Sequence, residues 1–251
     1  MAIYVVPDIH GEYNKLLTLM GKINEERRPE DTIVFLGDYV DRGKRSKDVV
    51  NYMFDFISND DNAVALLGNH DDEFYNIMEN VDRLSIYDIE WLSRYCIETL
   101  NSYGVSTVTL KYSSVEENLR NNYDFIKSEL KKLKESDDYR KFKILMVNCR
   151  KYYKEDKYIF SHSGGVSWKP IEEQTIDQLI WSRDFQPRKD GFTYVCGHTP
   201  TDSGEVEING DMLMCDVGAV FRDIDFPFIK LEVNKWRKNI LKVLKQMTLK
   251  Y

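Results

Sequence analysis

The chain has 251 residues, with 35 Lys plus Arg against 42 Asp plus Glu, a formal net charge of -7. That length can bury a full hydrophobic core, and the acidic balance argues against a nucleic-acid coat or a polybasic membrane binder. The longest aliphatic runs, Ala63 to Leu67 and Ile33 to Leu36, fall far short of the ~20 apolar residues of a membrane-spanning helix.

The N-terminus has no basic region and its apolar run stops at Pro7, which argues against a signal peptide. Ile3 to Val6 predicts a strand, and Tyr13, Leu16, Leu17, Met20 and Ile23 then share one helical face. Thr32 to Leu36 predicts a second strand, Val49, Val50, Met53 and Ile57 a second helix, and Ala63 to Leu67 a third strand. Continuous apolar strands alternating with amphipathic helices predict an α/β layout with a covered sheet. From about 85 to 155 the apolar residues keep helical spacing in three stripes: Leu92, Tyr95, Thr99 and Tyr103; Leu119, Tyr123, Ile126, Leu130 and Leu133; Phe142, Leu145, Cys149 and Tyr152. These stripes are expected to be helix-packing core, with Lys131, Lys132, Lys134 and Glu135 as a solvated face. No Pro/Gly/Ser-rich linker sets this block apart, so it reads as a helical insertion within a single domain spanning 1–251. Strands are expected again at Lys157 to Phe160, Phe192 to Cys196, Glu205 to Ile208, Met212 to Cys215 and Phe228 to Val233. Residues 234–251 form a basic tail with six Lys or Arg and no acid, leaving 29 basic and 42 acidic residues before it. Trp236, Ile240, Val243, Leu244 and Met247 have helical spacing there, and the tail is expected to pack on the acidic body. The four cysteines lack paired spacing, which predicts no structural disulfide and a cytoplasmic location. Cys196 and Cys215 lie in apolar runs and are expected to be buried hydrophobes.

Polar groups concentrate at the ends of the strands. The runs at 3–6, 32–36, 63–67, 157–160 and 192–196 are followed in turn by Asp8-Ile-His10-Gly, by Gly37-Asp38-Tyr-Val-Asp41-Arg42-Gly, by Gly68-Asn69-His70-Asp71, by Ser161-His162-Ser-Gly and by Gly197-His198-Thr. The C-terminal end of the strands is where ligands bind in an open α/β sheet. All four histidines of the chain fall there within three residues of an apolar run, and none is expected on a helix face. Asp8, His10, Asp38, Asn69, His162 and His198 are six candidate ligands, more than one metal needs. Carboxylate with imidazole suits Mn, Fe, Zn or Co, and two such ions sharing a carboxylate can clamp an in-line displacement at phosphorus.

The order Asp8-x-His-Gly, Gly37-Asp-Tyr-Val-Asp-Arg-Gly, Gly68-Asn-His-Asp, His162, Gly197-His-Thr resembles the calcineurin-like metallophosphoesterases. The longer second motif, Ile180-Trp-Ser-Arg183 and Asp216-Val-Gly-Ala-Val-Phe221 are similar to the phosphoprotein phosphatase branch, the lambda-phage and bacterial phosphatases among it. The chain departs at Pro7, where the family has Gly or Ser, and at Asp71, where it usually has Glu. The resemblance implies two mixed β-sheets flanked by helices. It implies one metal held by Asp8, His10 and Asp38, and a second held by Asp38, Asn69, His162 and His198, with Asp38 bridging. Manganese is the expected ion, with Fe, Zn, Co or Ni also suitable. It further implies water activated by the two ions, His70 as general acid, Asp41 orienting it, and Arg42, Arg183 and Asn69 on the phosphoryl group. In the structural alternative, Arg42 pairs with Asp41, and Arg183 with Asp184 or the acidic surface. The expected activity is metal-dependent phosphomonoester hydrolysis, on a phosphoprotein as a serine/threonine phosphatase that can extend to tyrosine, or on a phosphorylated small molecule. Dinucleoside polyphosphate hydrolysis, polynucleotide end dephosphorylation and a catalytically dead binding module are the alternatives. No membrane partner is expected, and the net acidity speaks against nucleic acid.

Overall fold

The computed structural model describes residues 1–233; the basic tail, and with it the expected packing of that tail, lies outside the described residues. The first third alternates as expected: β1 (Ala2–Val6), α1 (Tyr13–Glu26), β2 (Thr32–Phe35), α2 (Ser46–Asn59), β3 (Ala63–Ala65), α3 (Asn69–Glu79). A helical stretch follows: α4 (Ile86–Arg94), α5 (Ile97–Ser102), α6 (Val108–Tyr112), α7 (Val115–Glu117), α8 (Tyr123–Lys134), α9 (Asp137–Asn148). The remainder is β4 (Tyr153–Glu155), β5 (Tyr158–Phe160), α10 (Ile176–Ile180), β6 (Thr193–Cys196), β7 (Glu207–Asn209), β8 (Met212–Met214) and β9 (Ile229–Glu232).

Two mixed sheets result. One has the order β3-β2-β1-β9, with β1, β2 and β3 parallel and β9 antiparallel to β1; the other has the order β4-β5-β6-β8-β7. In the second, β5, β6 and β8 run parallel, while β4 and β7 pair antiparallel at its edges. Side chains alternate across a strand, and here both faces are buried. Ile3, Val5, Val34, Leu36, Val64 and Leu66 meet Tyr158, Phe160, Val195 and Cys215 between the sheets. Tyr4, Val6, Ile33, Phe35 and Ala65 face the other way, onto the helices. Ile159, Tyr194, Cys196, Met212 and Met214 pack outward against Leu179 and Ile180 of α10. That double burial is why the strands read as unbroken apolar runs. Cys196 and Cys215 are core residues, as expected. On α1, Leu16, Leu19, Met20 and Ile23 are buried, each side chain contributing about 1.5–3 kcal/mol.

The helical stretch shares one continuous core with α1, α2 and α3, and three of its expected details differ. Leu92 and Thr99 do not share one helix, because the chain turns at Tyr95 and Cys96 between α4 and α5. Leu119 sits in a wide π-type turn, 118–122, ahead of α8. Cys149 ends α9, so Tyr152 lies beyond the helix, and 153–155 join the second sheet. The helical stretch therefore ends at Asn148, and Arg150 returns beside β3. The strand expected at Glu205 to Ile208 is displaced to Glu207–Asn209, set by a turn at Gly210 that pairs β7 with β8. Among the described residues no helix is long and apolar enough to cross a membrane.

Candidate active site

All ten residues singled out at the strand ends and at Arg183 come together around one cavity or directly beneath it. His10, Asp38, Arg42, Asn69, His70, Arg183 and His198 line a cavity of about 230 Å³. Asp8, Asp41 and His162 are buried behind it. Strained backbone marks the spot: His10, Asp38, Asp41, Arg42 and His198 all have positive φ, out of seven such non-glycine residues among those described. Left-handed backbone at a non-glycine residue costs free energy and persists where surrounding contacts impose it. Close approach also demands two glycines. A Cβ on Gly68 would stand 2.1 Å from the Asp38 amide nitrogen, and one on Gly197 would stand 1.8 Å from Asp8 Oδ1.

Asp38 sits at the centre. Its Oδ2 is 3.3 Å from His10 Nε2 and its Oδ1 is 3.4 Å from His162 Nε2. It belongs to both groups of side chains close enough to hold an ion: His10, Asp38 and His70 in one, Asp8, Asp38 and His162 in the other. His10 donates Nδ1–H to the Val40 carbonyl at 2.9 Å, and His162 donates Nδ1–H to the Leu36 carbonyl at 2.9 Å. A carbonyl only accepts, so in each neutral ring the Nε2 lone pair must face the Asp38 carboxylate. Both rings are neutral at pH 7, because burial lowers them, His10 to about 4. Burial opposes ionisation of Asp38, and the positive charge that His162, His70, His10 and His198 carry when protonated draws its carboxyl below the ordinary range; beside neutral rings the carboxylate lacks that support.

Lone pairs turned on a carboxylate repel unless a cation lies between them. Two further atoms need the same: Asp8 Oδ1 and His198 Nε2 are buried without a hydrogen-bond partner among the described residues. Asn69 Oδ1 lies 2.9 Å from His162 Nε2 and 2.8 Å from His198 Nδ1. Metal-binding histidines commonly donate their other N–H to a carbonyl, as His10 and His162 do here. The donor set therefore fits divalent cations. Burial, then the charges of Asp216 and Asp38, push Asp8 well above its ordinary range, the repulsion expected of clustered carboxylates with no cation among them.

His70 is near enough to join His10 and Asp38 around an ion, in the place where the resemblance implies Asp8, but its ring nitrogens are engaged elsewhere. It occupies the first turn of α3, so it does lie on a helix, contrary to the sequence expectation. Its Nδ1–H donates to Asp41 Oδ2 at 2.9 Å, and its Nε2 accepts from Arg42 Nη2 at 3.2 Å. Asp41 is itself held, accepting from the Thr99 hydroxyl at 2.9 Å while its backbone N–H donates to the same hydroxyl at 2.8 Å. The Arg42 guanidinium lies over the Tyr95 and Phe221 rings at 5.2 and 4.8 Å, so it does not pair with Asp41. Arg183 does not take Asp184 either; that carboxylate accepts from Ser167 N–H and Oγ–H at 2.7 and 2.6 Å.

Several residues take roles in the site that the sequence pattern does not assign to them. Asp71 accepts from the Tyr39, Val40 and Gly68 backbone N–H groups, fastening the Asp38 loop to the start of α3. Its departure from Glu thus leaves the ion-binding groups untouched. Asp216 lines the cavity, raised to about 6 by burial, then by Asp38. Trp91, Tyr95, Trp181 and Phe221 complete the walls. Trp181 and Asp216 lay in segments already singled out. Thr99 and Tyr95 were assigned to a core stripe, since helical spacing cannot tell an inward-facing residue from one that reaches a site.

The calcineurin-like phosphoesterase profile matches residues 1–228. The symmetrical bis(5'-nucleosyl)-tetraphosphatases of Escherichia coli and Shigella boydii are 36% identical to the chain over 83 residues, 33% of this chain. The match spans only 28% of the length of those relatives. Among solved structures, one assigned as a diadenosine tetraphosphatase is similar with a TM-score of 0.52 and 15% identity, covering 93% of this chain and 94% of that one. A cold-active protein-tyrosine phosphatase of a Shewanella species has a TM-score of 0.51 and 16% identity, over 93% and 76% of the two chains. At these identities the structures show a shared fold. With the profile matched along nearly its whole described length, the chain belongs to the calcineurin-like phosphoesterase family.

Proposed function

We propose that this chain is a dinuclear-metal phosphoester hydrolase acting on phosphorylated protein side chains. The observation that carries the reading is the split carboxylate of Asp38, which offers one oxygen toward His10 and the other toward His162. Asp8, His10 and Asp38 would hold one ion, and Asp38, Asn69, His162 and His198 the other, manganese being the expected metal. Such ions, when bound, supply an acidified water and positive charge against the phosphoryl oxygens.

The protein's own residues do the rest. Arg42 and Arg183 enter the cavity with fork-shaped donors matched to phosphoryl oxygens. Arg42 occupies His70 Nε2 in this structure; turning onto the phosphoryl group would free that nitrogen. His70, once it has taken up a proton at that nitrogen, gives it to the leaving oxygen, and Asp41, bonded at Nδ1, steadies the imidazolium until it does. Thr99 fixes Asp41 in turn. Thr99→Val keeps the shape and removes the hydroxyl, and is expected to lower kcat roughly tenfold with KM within about twofold. Steady-state kinetics on a phosphoserine peptide check this; an unchanged kcat would mean that Asp41 needs no such support.

A second reading, hydrolysis of diadenosine tetraphosphate, is favoured by the match to the bis(5'-nucleosyl)-tetraphosphatases. A phosphoserine peptide, diadenosine tetraphosphate and a 3'-phosphorylated oligonucleotide, assayed side by side, separate the readings. Activity on the peptide is expected to vanish with chelator and return with added Mn. Full turnover in metal-free buffer would refute the metal-dependent mechanism.

A further inference from the structure

Apart from Pro200, the apolar lining of the active cavity is entirely aromatic: Trp91, Tyr95, Trp181 and Phe221. Trp91 comes from α4, which a Ser85/Asp88 capping box starts, and its ring centroid lies 5.0 Å from that of His70. Trp181 stands nearly perpendicular to it, at 5.8 Å and 76°, and is 40% exposed. The two indoles form an aromatic corner beside the proposed proton donor.

The position of that corner constrains the leaving group. On the reading proposed above, the leaving oxygen comes within about 3 Å of His70 Nε2. Whatever is bonded to that oxygen extends into the cavity, whose wall includes Trp91 and Trp181. A serine offers one methylene there. A dinucleoside polyphosphate offers another charged, hydrated phosphate, with its base several bonds further off. A tyrosine offers its ring, at the offset or edge-on distances of about 4.5–7 Å at which aromatic pairs attract.

We propose that Trp91, with Trp181 set edge-on to it, is the specificity-determining platform for an aromatic leaving group, making phosphotyrosine the preferred phosphorylated side chain. In the reaction the water oxygen bonds to phosphorus, the bond from phosphorus to the phenolic oxygen breaks, and His70 gives its proton to the phenolate. Tyrosine and inorganic phosphate are released.

The test uses the Mn-loaded protein and two peptides of one sequence, phosphorylated at tyrosine or at serine, with diadenosine tetraphosphate as a third substrate. Comparing variants cancels the greater acidity of the phenol. Trp91→Ala is expected to lower kcat/KM for the phosphotyrosine peptide roughly fivefold more than for the phosphoserine peptide, mainly through KM, and Trp91→Phe to restore most of the difference. Binding gives a readout free of turnover. Phenylphosphonate is expected to bind more tightly than ethylphosphonate to the wild type by calorimetry, and to lose that margin in Trp91→Ala. Equal losses on both peptides, with no change in the phosphonate ratio, would make Trp91 a prop for His70 and overturn the proposal. A larger loss on diadenosine tetraphosphate would overturn it in favour of a base-binding wall. If Trp91→Ala does not fold, the Trp91→Phe and Trp181→Ala ratios decide by the same criteria. Wild type inactive on all three substrates would refute the hydrolase reading itself, whereas active wild type with unaltered selectivity in the variants refutes only the platform.

Discussion

Asp38→Asn is expected to reduce turnover at least about a thousandfold, the scale of loss when a unit of the catalytic machinery is disabled, and to lower bound metal from two equivalents toward one or none. Both oxygens of Asp38 are committed, Oδ2 toward His10 and Oδ1 toward His162 and the His70 backbone N–H. An amide keeps the size, discards the charge, and turns an N–H₂ donor toward one of those partners. Under the proposed shared ligation both ions depend on this one side chain, so loss of metal and loss of activity are expected together. Metal content after dialysis, by inductively coupled plasma mass spectrometry, and kcat with saturating Mn are the two measurements. A variant that keeps both metals and half its activity would rule out the shared carboxylate.

His70→Asn should separate the two functions that Asp38→Asn removes at once. His70 is close enough to Asp38 to count among the groups able to hold an ion, yet its Nδ1 is committed to Asp41 and its Nε2 faces Arg42. A proton donor contributes about 10²–10⁴ in rate, and least where the leaving group needs no proton. Turnover of a phosphoserine peptide is therefore expected to fall at least about a hundredfold, and that of p-nitrophenyl phosphate less than about tenfold, with two equivalents of metal retained. Loss of one metal in this variant would move His70 from proton transfer to ligation.

Much of the fold was legible because its physics is local. Strands buried on both faces appear as unbroken apolar runs, and Ile3 to Val6, Thr32 to Leu36 and Ala63 to Leu67 were recovered nearly to the residue. The helical stretch was legible as helices and illegible as positions. Leu92, Tyr95 and Thr99 keep a helical spacing that a turn at Tyr95 and Cys96 interrupts, and nothing in that spacing distinguishes a core-facing residue from one that reaches His70 or Asp41.

The sequence by itself determined which side chains are available for chemistry and at which strand ends they fall, since strand ends and glycine-flanked turns are written in neighbouring residues. The tertiary structure alone decided how those ends face one another. It divided the two oxygens of Asp38 between His10 and His162. It left Asp8 Oδ1 and His198 Nε2 buried without hydrogen-bond partners among the described residues, and it brought Trp91 from the helical stretch against His70. The reason is physical: each of these depends on the packing of one sheet on the other and of α4 on the shared helical core, contacts between residues distant along the chain that no local pattern encodes.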